Sequence, residues 1–304
     1  MECEYKKNVR YLSDAIRGST VLSKFDYVKP ELLVEALNYL EENDGTKILA
    51  GGTDLMIMLR HNAEIPEHIL DIKAIPETNM LEYKANEGLF IGACVTVNQV
   101  AESKLILDKY PALVQASNLL ASYQLRNRAT LVGNICNASP GADLAGPLMV
   151  YDAKVHISST EGSRIVDINS FFTGVKKTVL KRNELVIGVF LPEVLEGDSS
   201  IFLKQARIKG HDLAIVGVTA RMTVDKKIKL AITAVAPTPI RITKLEEILS
   251  SKALTAELAE MAEKEVHNII KPISDVRSSA QYRIHISGVL VKRALLHLLT
   301  MGGK

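Results

Sequence analysis

The clearest pattern in the chain is a run of apolar residues at helical spacing near its start. The segment ELLVEALNYLEEN places apolar side chains three or four residues apart, as one face of an amphipathic helix requires. These positions are Leu32, Leu33, Ala36, Leu37 and Leu40. Pro30 suits the first position of this helix, where a missing N–H costs nothing, and Asn43–Asp44–Gly45 predicts its end.

Short apolar segments and turns alternate through the rest of the first half. KILA predicts a strand, GGTD a turn, LMIMLR another helix and FIGACVTV a further strand. AESKLILDKYPALVQASNLLAS predicts a helix in two pieces around Pro111. ATLVGNICNASPGADL has no period and is rich in glycine, asparagine, serine and proline, so we expect an ordered loop there. A strand follows in the later part of PLMVYDAKVHIS.

The last third of the chain has a different order of elements. SIFLKQAR, LAIVGVTARMTV and KIKLAITAVAP predict strands of one antiparallel sheet, and two long amphipathic helices follow. Strands followed by helices are typical of a separate α+β domain, which we place at residues 199–304. The polar segment 193–200, EVLEGDSS, is the best linker, and residues 1–20 form a weakly specified N-terminal extension.

Length and composition narrow the class of protein. A chain of 304 residues holds about two domains at roughly 150 residues each. The net charge is +2 and no long basic run alternates with aromatic residues, so we expect no nucleic-acid partner. We find no run of about 18 apolar residues, which argues against a membrane span. The start, MECEYKKNVRYLSDA, lacks a secretion signal, so a cytoplasmic protein is expected.

The cysteines and histidines give no metal-site pattern. Cys3, Cys94 and Cys136 lie far apart and form no CxxC pair, and the seven histidines show no ligand spacing. A disulfide framework, a zinc site or an iron–sulfur cluster within this chain is therefore not expected. Cys136 is interpreted as a small packed side chain.

The first candidate binding segment is KILAGGTDL, residues 47–55. Glycines at Gly51 and Gly52 permit positive φ and leave no Cβ between the main chain and a ligand. Successive N–H groups before a helix can then point at an anion such as a dinucleotide pyrophosphate. Thr53 offers a hydroxyl, and Asp54 is expected to cap the helix rather than meet phosphate. The alternative is a plain tight turn, and neither a Walker loop nor a Rossmann fingerprint is present.

The second candidate segment is TLVGNICNASPGAD, residues 130–143. It is dense in short side chains that can hydrogen-bond a polyhydroxylated ligand, with phosphate meeting hydroxyls and amides and Asp143 accepting from a sugar hydroxyl. The alternative is a rigid loop whose polar groups satisfy its own backbone. The polar residues are Thr130, Asn134, Asn137, Ser139 and Asp143.

Together these segments resemble a known family. Residues 49–56 read LAGGTDLM, residues 126–153 read RNRATLVGNICNASPGADLAGPLMVYDA, and residues 274–295 read SDVRSSAQYRIHISGVLVKRAL. All three, in this order and spacing, are similar to the FAD-binding subunits of the xanthine dehydrogenase and carbon monoxide dehydrogenase family of molybdenum hydroxylases. The resemblance covers most of the chain. It implies an α+β fold, with a PCMH-type, vanillyl-alcohol-oxidase-like FAD module of two α/β subdomains at 21–195 and the C-terminal α+β domain behind it.

The resemblance also implies a set of FAD-binding residues. The cation of Lys204 would lie near the flavin, where it could stabilise an anionic reduced flavin; the alternative is a solvated strand lysine. No side chain is expected to act as a catalytic acid, base or nucleophile, and no residue as a metal ligand. The implied FAD neighbours are Ile48, Leu49, Ala50, Gly51, Gly52, Thr53, Asp54, Leu55, Thr130, Gly133, Asn134, Asp143, Val186 and Lys204.

The implied activity is electron relay within a heterotrimer. A large subunit would hold the molybdenum cofactor and a small subunit two [2Fe–2S] clusters, and electrons would pass through this FAD to NAD or another acceptor. The alternatives are a stand-alone flavin oxidoreductase on the same fold and a non-catalytic assembly subunit with weakened FAD binding. Val132 favours the last, since the family has glycine there: either its side chain points away with strand-like φ, or FAD contact is weakened.

Overall fold

The described part of the chain forms three main sheets and a two-stranded hairpin, with helices packed between them. The structure is a computed structural model that describes residues 22–61, 63, 65–208 and 210–301. The predicted extension at residues 1–20 lies outside the described residues. So do the first residue of the predicted 21–195 module and the last three of the 199–304 domain.

The first subdomain is a three-stranded parallel sheet in the order β1–β3–β2. Helix α1 buries Ala36, Leu37 and Leu40 of the predicted apolar face, whereas Leu32, also predicted on that face, precedes the helix and is exposed. It begins at Leu33 rather than at Pro30, because the Leu32 N–H finds its partner in the Glu35 carboxylate at 3.3 Å. The elements are β1 (Asp26–Val28), α1 (Leu33–Glu42), β2 (Lys47–Leu49), α2 (Leu55–Arg60) and β3 (His68–Asp71).

The second subdomain is a five-stranded antiparallel sheet in the order β4–β5–β10–β6–β7. Strand β10 is central and almost wholly buried, as its continuous apolar sequence requires. A short 3₁₀ turn, Pro76–Asn79, precedes the sheet, and Ile168–Ser170 forms another. The five strands are β4 (Leu81–Lys84), β5 (Gly88–Gly92), β6 (Lys154–Ser159), β7 (Gly162–Asp167) and β10 (Leu185–Pro192). Between β7 and β10, β8 (Phe172–Gly174) and β9 (Lys177–Thr178) form the separate two-stranded hairpin.

Six short helices connect β5 to β6. The predicted break at Pro111 is confirmed, since one helix ends at Lys109 and the next begins at the proline. The predicted loop over 129–144 is wrong in part: Thr130 caps a helix there, and a further helix follows the loop. These helices are α3 (Val97–Glu102), α4 (Lys104–Lys109), α5 (Pro111–Leu119), α6 (Tyr123–Arg126), α7 (Leu131–Cys136) and α8 (Ala145–Val150).

The C-terminal part is an antiparallel sheet of order β11–β12–β13–β14, covered by helices. Its apolar core is distinct from the core of the first two subdomains. This arrangement is the α+β domain that the sequence predicted. The elements are β11 (Ser199–Gln205), β12 (Val216–Met222), β13 (Ile228–Thr233), β14 (Ile240–Arg241), α9 (Thr243–Ser250), α10 (Ala256–Ile269) and α11 (Ala280–Met301).

The segment predicted as a linker, 193–200, is fixed at both ends. Strand β11 already begins at Ser199, and the Asp198 carboxylate pairs with the buried guanidinium of Arg221 at 2.5 Å. Glu193 accepts hydrogen bonds from Tyr83 and Lys109 at 2.7 and 2.6 Å. These contacts join the segment to the elements on both sides of it.

Strand β11 lies along helix α5 and carries the contact between the two domains. Alternate residues of the strand, two apart, meet successive turns of the helix. The hydrogen-bonded pairs are Ala112 N to Ser200 Oγ (3.3 Å), Phe202 N to Gln115 Oε1 (2.7 Å) and Lys204 Nζ to Leu119 O (3.0 Å). Every second position of β11 is thereby set relative to the first domain.

Helix α11 has the length and mean hydropathy of a membrane-spanning segment, although charged and polar residues interrupt its apolar sequence. One side of it packs on α10 and β12 and buries Leu290, Val291 and Leu295 in the C-terminal core. The buried guanidinium of Arg283, near its start, donates to two backbone carbonyls of the sheet domain. This packing is that of a core helix.

Candidate functional site

The first predicted segment forms a sharp turn at the carboxyl end of a parallel strand. Strand β2 ends at Leu49 and helix α2 begins at Leu55. Gly52 has a φ of +79°, a left-handed conformation that glycine adopts without strain. Asp54 occupies the N-cap position, but its side chain is exposed and caps no N–H, so the predicted side-chain cap is wrong.

The turn leaves a row of hydrogen-bond donors free. Within the described ranges, the N–H groups of Gly51, Gly52 and Thr53 donate to no protein acceptor. Consecutive unpaired N–H groups around a left-handed glycine form a concave site for an anion. This row of N–H groups is the arrangement that the sequence predicted for binding a phosphate group, and the binding itself stays a prediction.

The second predicted segment presents the first turn of a helix. Thr130 caps α7, and its Oγ1 accepts a hydrogen bond from the Gly133 N–H at 2.9 Å. The hydroxyl hydrogen of Thr130 remains available to an acceptor. Asn134 Oδ1 accepts from the N–H of Leu144 at 3.4 Å, which connects α7 to the segment that carries Asp143.

Val132 does not crowd this turn. It has helical backbone angles instead of the strand-like φ that one alternative required, and its side chain is buried in the core of the FAD-type module. Its N–H lies in the first helical turn, where no intrahelical acceptor exists. The Val132 side chain therefore lies in the core, whereas its N–H is at the open end of helix α7.

The two turns are in direct contact, although they are far apart in the chain. A Cβ placed on Gly51 would lie 2.0 Å from the carbonyl oxygen of Arg128 and 3.1 Å from Cα of Ala129. Because the opposing atoms are main chain, no side chain can be accommodated at Gly51. This packing places the free N–H groups of the first turn beside Thr130.

The first comparison with known proteins decides the family. The model for the FAD-binding domain in molybdopterin dehydrogenase matches residues 23–194, and that for the CO dehydrogenase flavoprotein C-terminal domain matches residues 201–298. The chain belongs to this family. It is the FAD-binding flavoprotein subunit of an oxidoreductase of the xanthine dehydrogenase and carbon monoxide dehydrogenase type.

Relatives match this flavoprotein subunit over nearly its whole length. It is 33% identical to the xanthine dehydrogenase FAD-binding subunit of Escherichia coli O157:H7, over 91% of this chain and 97% of that protein. It is 34% identical to the glyceraldehyde dehydrogenase medium chain of Sulfolobus acidocaldarius, over 89% and 97%. A solved chain of carbon monoxide dehydrogenase from Hydrogenophaga pseudoflava superposes with a TM-score of 0.88 at 31% identity, covering 93% of this chain and 99% of that one. The predicted fold class is confirmed.

The geometry of the site fits FAD, the cofactor of this family. The free N–H groups of the first turn suit the pyrophosphate, and the hydroxyl of Thr130 lies at the adjoining turn. A further unpaired polar atom, Asp143 Oδ1, is buried and has no hydrogen-bond partner among the described residues. A buried carboxylate oxygen without a donor is costly unless a ligand supplies one.

Lys204 is not the solvated strand lysine of the alternative interpretation. Its ammonium donates to Asp143 Oδ2 at 2.7 Å and to the carbonyl of Leu119 at 3.0 Å, with exposed side-chain fractions of 4% for Lys204 and 9% for Asp143. Burial raises the pKa of Asp143 to about 6 even though the Lys204 ammonium opposes that shift. The pair joins the C-terminal strand β11 to the FAD-binding domain.

The remaining predicted residues have mainly apolar roles. Leu55 is buried in a small cluster beside the first turn, while Ile48, Leu49 and Ala50 are half-buried at the end of β2. Val186 lies at a bulge in β10 opposite Ile157, with its side chain in the core. The structure therefore brings the first turn to the second, and joins Asn134 to the Asp143 segment and Asp143 to Lys204.

Sequence reasoning missed one cation beside this site. It is not Arg126, which donates to the carbonyls of Asn118, Leu120 and Ala121 and to the Asn98 side chain and so holds a loop together. Lys73 was not considered, yet its ammonium lies 3.3 Å from the carbonyl oxygen of Ala50 in the first turn. Its position just after a parallel strand was the available signal.

The thiols of the described residues are not arranged as ligands. No group of three or more His, Cys, Asp or Glu side chains that could hold a metal occurs in the part of the chain that the structure covers. Burial raises the pKa of the Cys94 thiol, and it raises the pKa of Cys136 to about 12. Both thiols are therefore protonated at neutral pH, in agreement with the interpretation of Cys136 as a packed side chain.

Proposed function

We propose that this subunit relays electrons from [2Fe–2S] clusters of a small partner subunit through FAD to NAD or another acceptor. A large partner subunit would hold the molybdenum cofactor and oxidise the substrate. The main support is the contact between the two turns, Gly51 against the Arg128 carbonyl, in a chain that matches FAD-binding subunits almost from end to end. The three cysteines of this chain lie far apart, so a partner would have to supply the clusters.

The substrate of the complex is proposed to be chosen by the large subunit. Relatives of similar length and identity carry the names of enzymes for xanthine, glyceraldehyde and carbon monoxide. Substrates this different are not selected by one shared FAD-binding architecture. We therefore propose a xanthine dehydrogenase-like complex without assigning the purine itself.

Each turn would hold a different part of the cofactor. The N–H groups of Gly51, Gly52 and Thr53 would donate to the pyrophosphate, and the Thr130 hydroxyl would donate to phosphate or the ribityl chain. Asp143 Oδ1 would accept from a hydroxyl or N–H of the cofactor. Asn134 has an amide that is not used by Leu144, and Gly133 keeps the capped turn open.

FAD supplies the redox chemistry when bound, because a flavin accepts electrons singly or in pairs. The chain would contribute electrostatics rather than proton transfer. Lys204 is buried and fixed by two acceptors, so its positive charge would act on the flavin through a medium of low dielectric constant. Electron relay of this kind needs no side chain as an acid or base.

The test is to purify the chain alone and together with cluster-carrying and molybdenum-carrying partner subunits. We expect the chain alone to hold FAD, shown by visible flavin absorption and by about one flavin per protein. In the complex, anaerobic substrate should bleach that absorption, and NAD or an artificial acceptor should restore it. A folded chain without flavin would contradict the proposal. Substrate turnover by the isolated chain would favour the stand-alone oxidoreductase.

A further inference from the structure

Lys73 occupies a defined place beside the first turn. Strands β2 and β3 are parallel, with Leu49 opposite Asp71, and the Ile72 N–H donates to the Leu49 carbonyl at 3.2 Å. The next residue along each strand end therefore lies at the same edge of the sheet. This pairing brings Lys73 next to Ala50, and its ammonium donates to the Ala50 carbonyl at 3.3 Å.

The ammonium is held by a buried carboxylate. Asp71 is 3% exposed, and its Oδ1 accepts from both the Nζ and the backbone N–H of Lys73, at 2.7 and 3.0 Å. Its other oxygen accepts from the hydroxyl of Tyr27 at 2.5 Å. Although burial opposes it, these hydrogen bonds hold the pKa of Asp71 below its usual value. The carboxylate is therefore ionised, and Lys73 is the more exposed member of the pair.

The Ala50 carbonyl fixes the direction of the next N–H. The Ala50–Gly51 peptide is trans, so its C=O and N–H point in opposite directions. A carbonyl held toward Lys73 turns the Gly51 N–H away from Lys73. Gly51 and Gly52 have no side chains, so the intervening peptides can rotate easily unless something holds them.

We propose that Lys73 is a positioning residue for the cofactor turn, which holds the Ala50 carbonyl so that the Gly51 N–H faces the FAD pyrophosphate. The proposal rests on the proposed function, because it concerns how this chain binds FAD. The Lys73 cation also polarises the peptide it touches and strengthens the Gly51 N–H as a donor. Lys73 itself does not touch the phosphate, since it lies on the opposite side of that peptide.

The experiment compares Lys73→Met and Lys73→Arg with Lys154→Met. Lys154 pairs with Asp167 at the same 2.7 Å, but in the five-stranded sheet, so it controls for loss of a lysine–aspartate pair. FAD affinity is measured by flavin fluorescence at low and high ionic strength. The ³¹P NMR spectrum of bound FAD reports the surroundings of the pyrophosphate, which a general loss of stability would not change.

We expect Lys73→Met to weaken FAD binding about tenfold, the size of one well-oriented hydrogen bond to a charged group. The loss should persist at high salt and be accompanied by altered ³¹P shifts. Lys73→Arg should recover most of the affinity, and Lys154→Met should bind like the wild type.

Three results would overturn the inference while leaving the proposed function intact. They are unchanged FAD binding in Lys73→Met, an equal loss in Lys154→Met, and a loss that vanishes at high salt. The last would indicate direct attraction between the ammonium and phosphate. A wild-type chain that binds no FAD would overturn the proposed function together with this inference.

Discussion

The two turns that meet at the site expose main-chain N–H groups by different means. The first turn needs glycine twice, for the left-handed φ of Gly52 and for the contact of Gly51 with a backbone carbonyl. The second turn is the capped start of a helix and tolerates Val132, whose side chain packs inward. The comparison shows that a helix start can carry side chains at positions where a glycine turn cannot.

The largest expected effect is from Gly51→Ala. Its Cβ would lie 2.0 Å from the Arg128 carbonyl, so the two turns must separate. We expect a loss of about 3 kcal/mol in the free energy of unfolding and no retained FAD, measured by urea unfolding and flavin content. Gly174→Ala is the matched control, because its Cβ would meet only side-chain carbons of Lys177, at 3.9 Å, which is an ordinary contact. Equal losses of stability and of FAD in both variants would contradict a specific role for the contact between Gly51 and the Arg128 carbonyl.

Val132→Gly should affect stability rather than FAD binding. It removes a buried side chain from the core and puts glycine into a helix, so we expect about 2 to 3 kcal/mol less stability. FAD affinity of the folded protein should be unchanged, as measured at a temperature well below unfolding. Val132→Ala separates the packing loss from the helix effect. If Val132→Gly bound FAD more tightly, the side chain would after all obstruct the cofactor.

Thr130→Val should have a smaller effect on stability and a clear one on FAD. Losing the cap of α7 costs about 1 kcal/mol, and losing the hydroxyl should weaken FAD binding about tenfold. Thr96→Val is the control, since Thr96 caps α3 in the same way, accepting from Gln99 N at 3.3 Å. Both variants should lose similar stability in thermal unfolding, and only Thr130→Val should lose FAD. If Thr96→Val and Thr130→Val lost FAD equally, the effect would come from loss of a helix cap rather than from loss of a contact with the cofactor.

The smallest expected effect is a pH dependence removed by Asp143→Asn. The pKa of Asp143 is about 6 in the folded chain, above its value near 3.9 when unfolded, so the folded state binds this proton more tightly. Its contribution to stability is complete below about pH 4 and is lost as pH rises through about 6. Urea unfolding of the FAD-free protein across this range should show the slope in the wild type alone. If the stability of the wild type and of Asp143→Asn changed with pH in the same way, the pH dependence could not be assigned to Asp143.

Local patterns predicted much of the fold, because each depends on neighbours in the chain. The α1 face, strand β2 and the break at Pro111 follow from apolar spacing, glycine and proline. The error at residues 129–144 has a physical cause. The glycine and short polar residues of this segment predict a loop. The helix forms nevertheless, because Thr130 caps it and because Val132 and Ile135 are buried.

The site was predicted by resemblance, and its long-range contacts were beyond the reach of local patterns. Nothing within the segment around Gly51 indicates that Arg128 lies against it. Likewise, Lys204 looks like an ordinary strand lysine until β11 is placed on α5. Lys73 follows strand β3. Its contact with Ala50 could be predicted only once β3 was known to pair in parallel with β2.

The buried Asp143–Lys204 ion pair couples the two domains to each other. Each domain contributes one of the two charges, and strand β11 is pinned to α5 at every second residue. A chimera that takes its C-terminal half from a relative would thus have to preserve the packing of β11 on α5. Otherwise one buried charge would be left without its counterion.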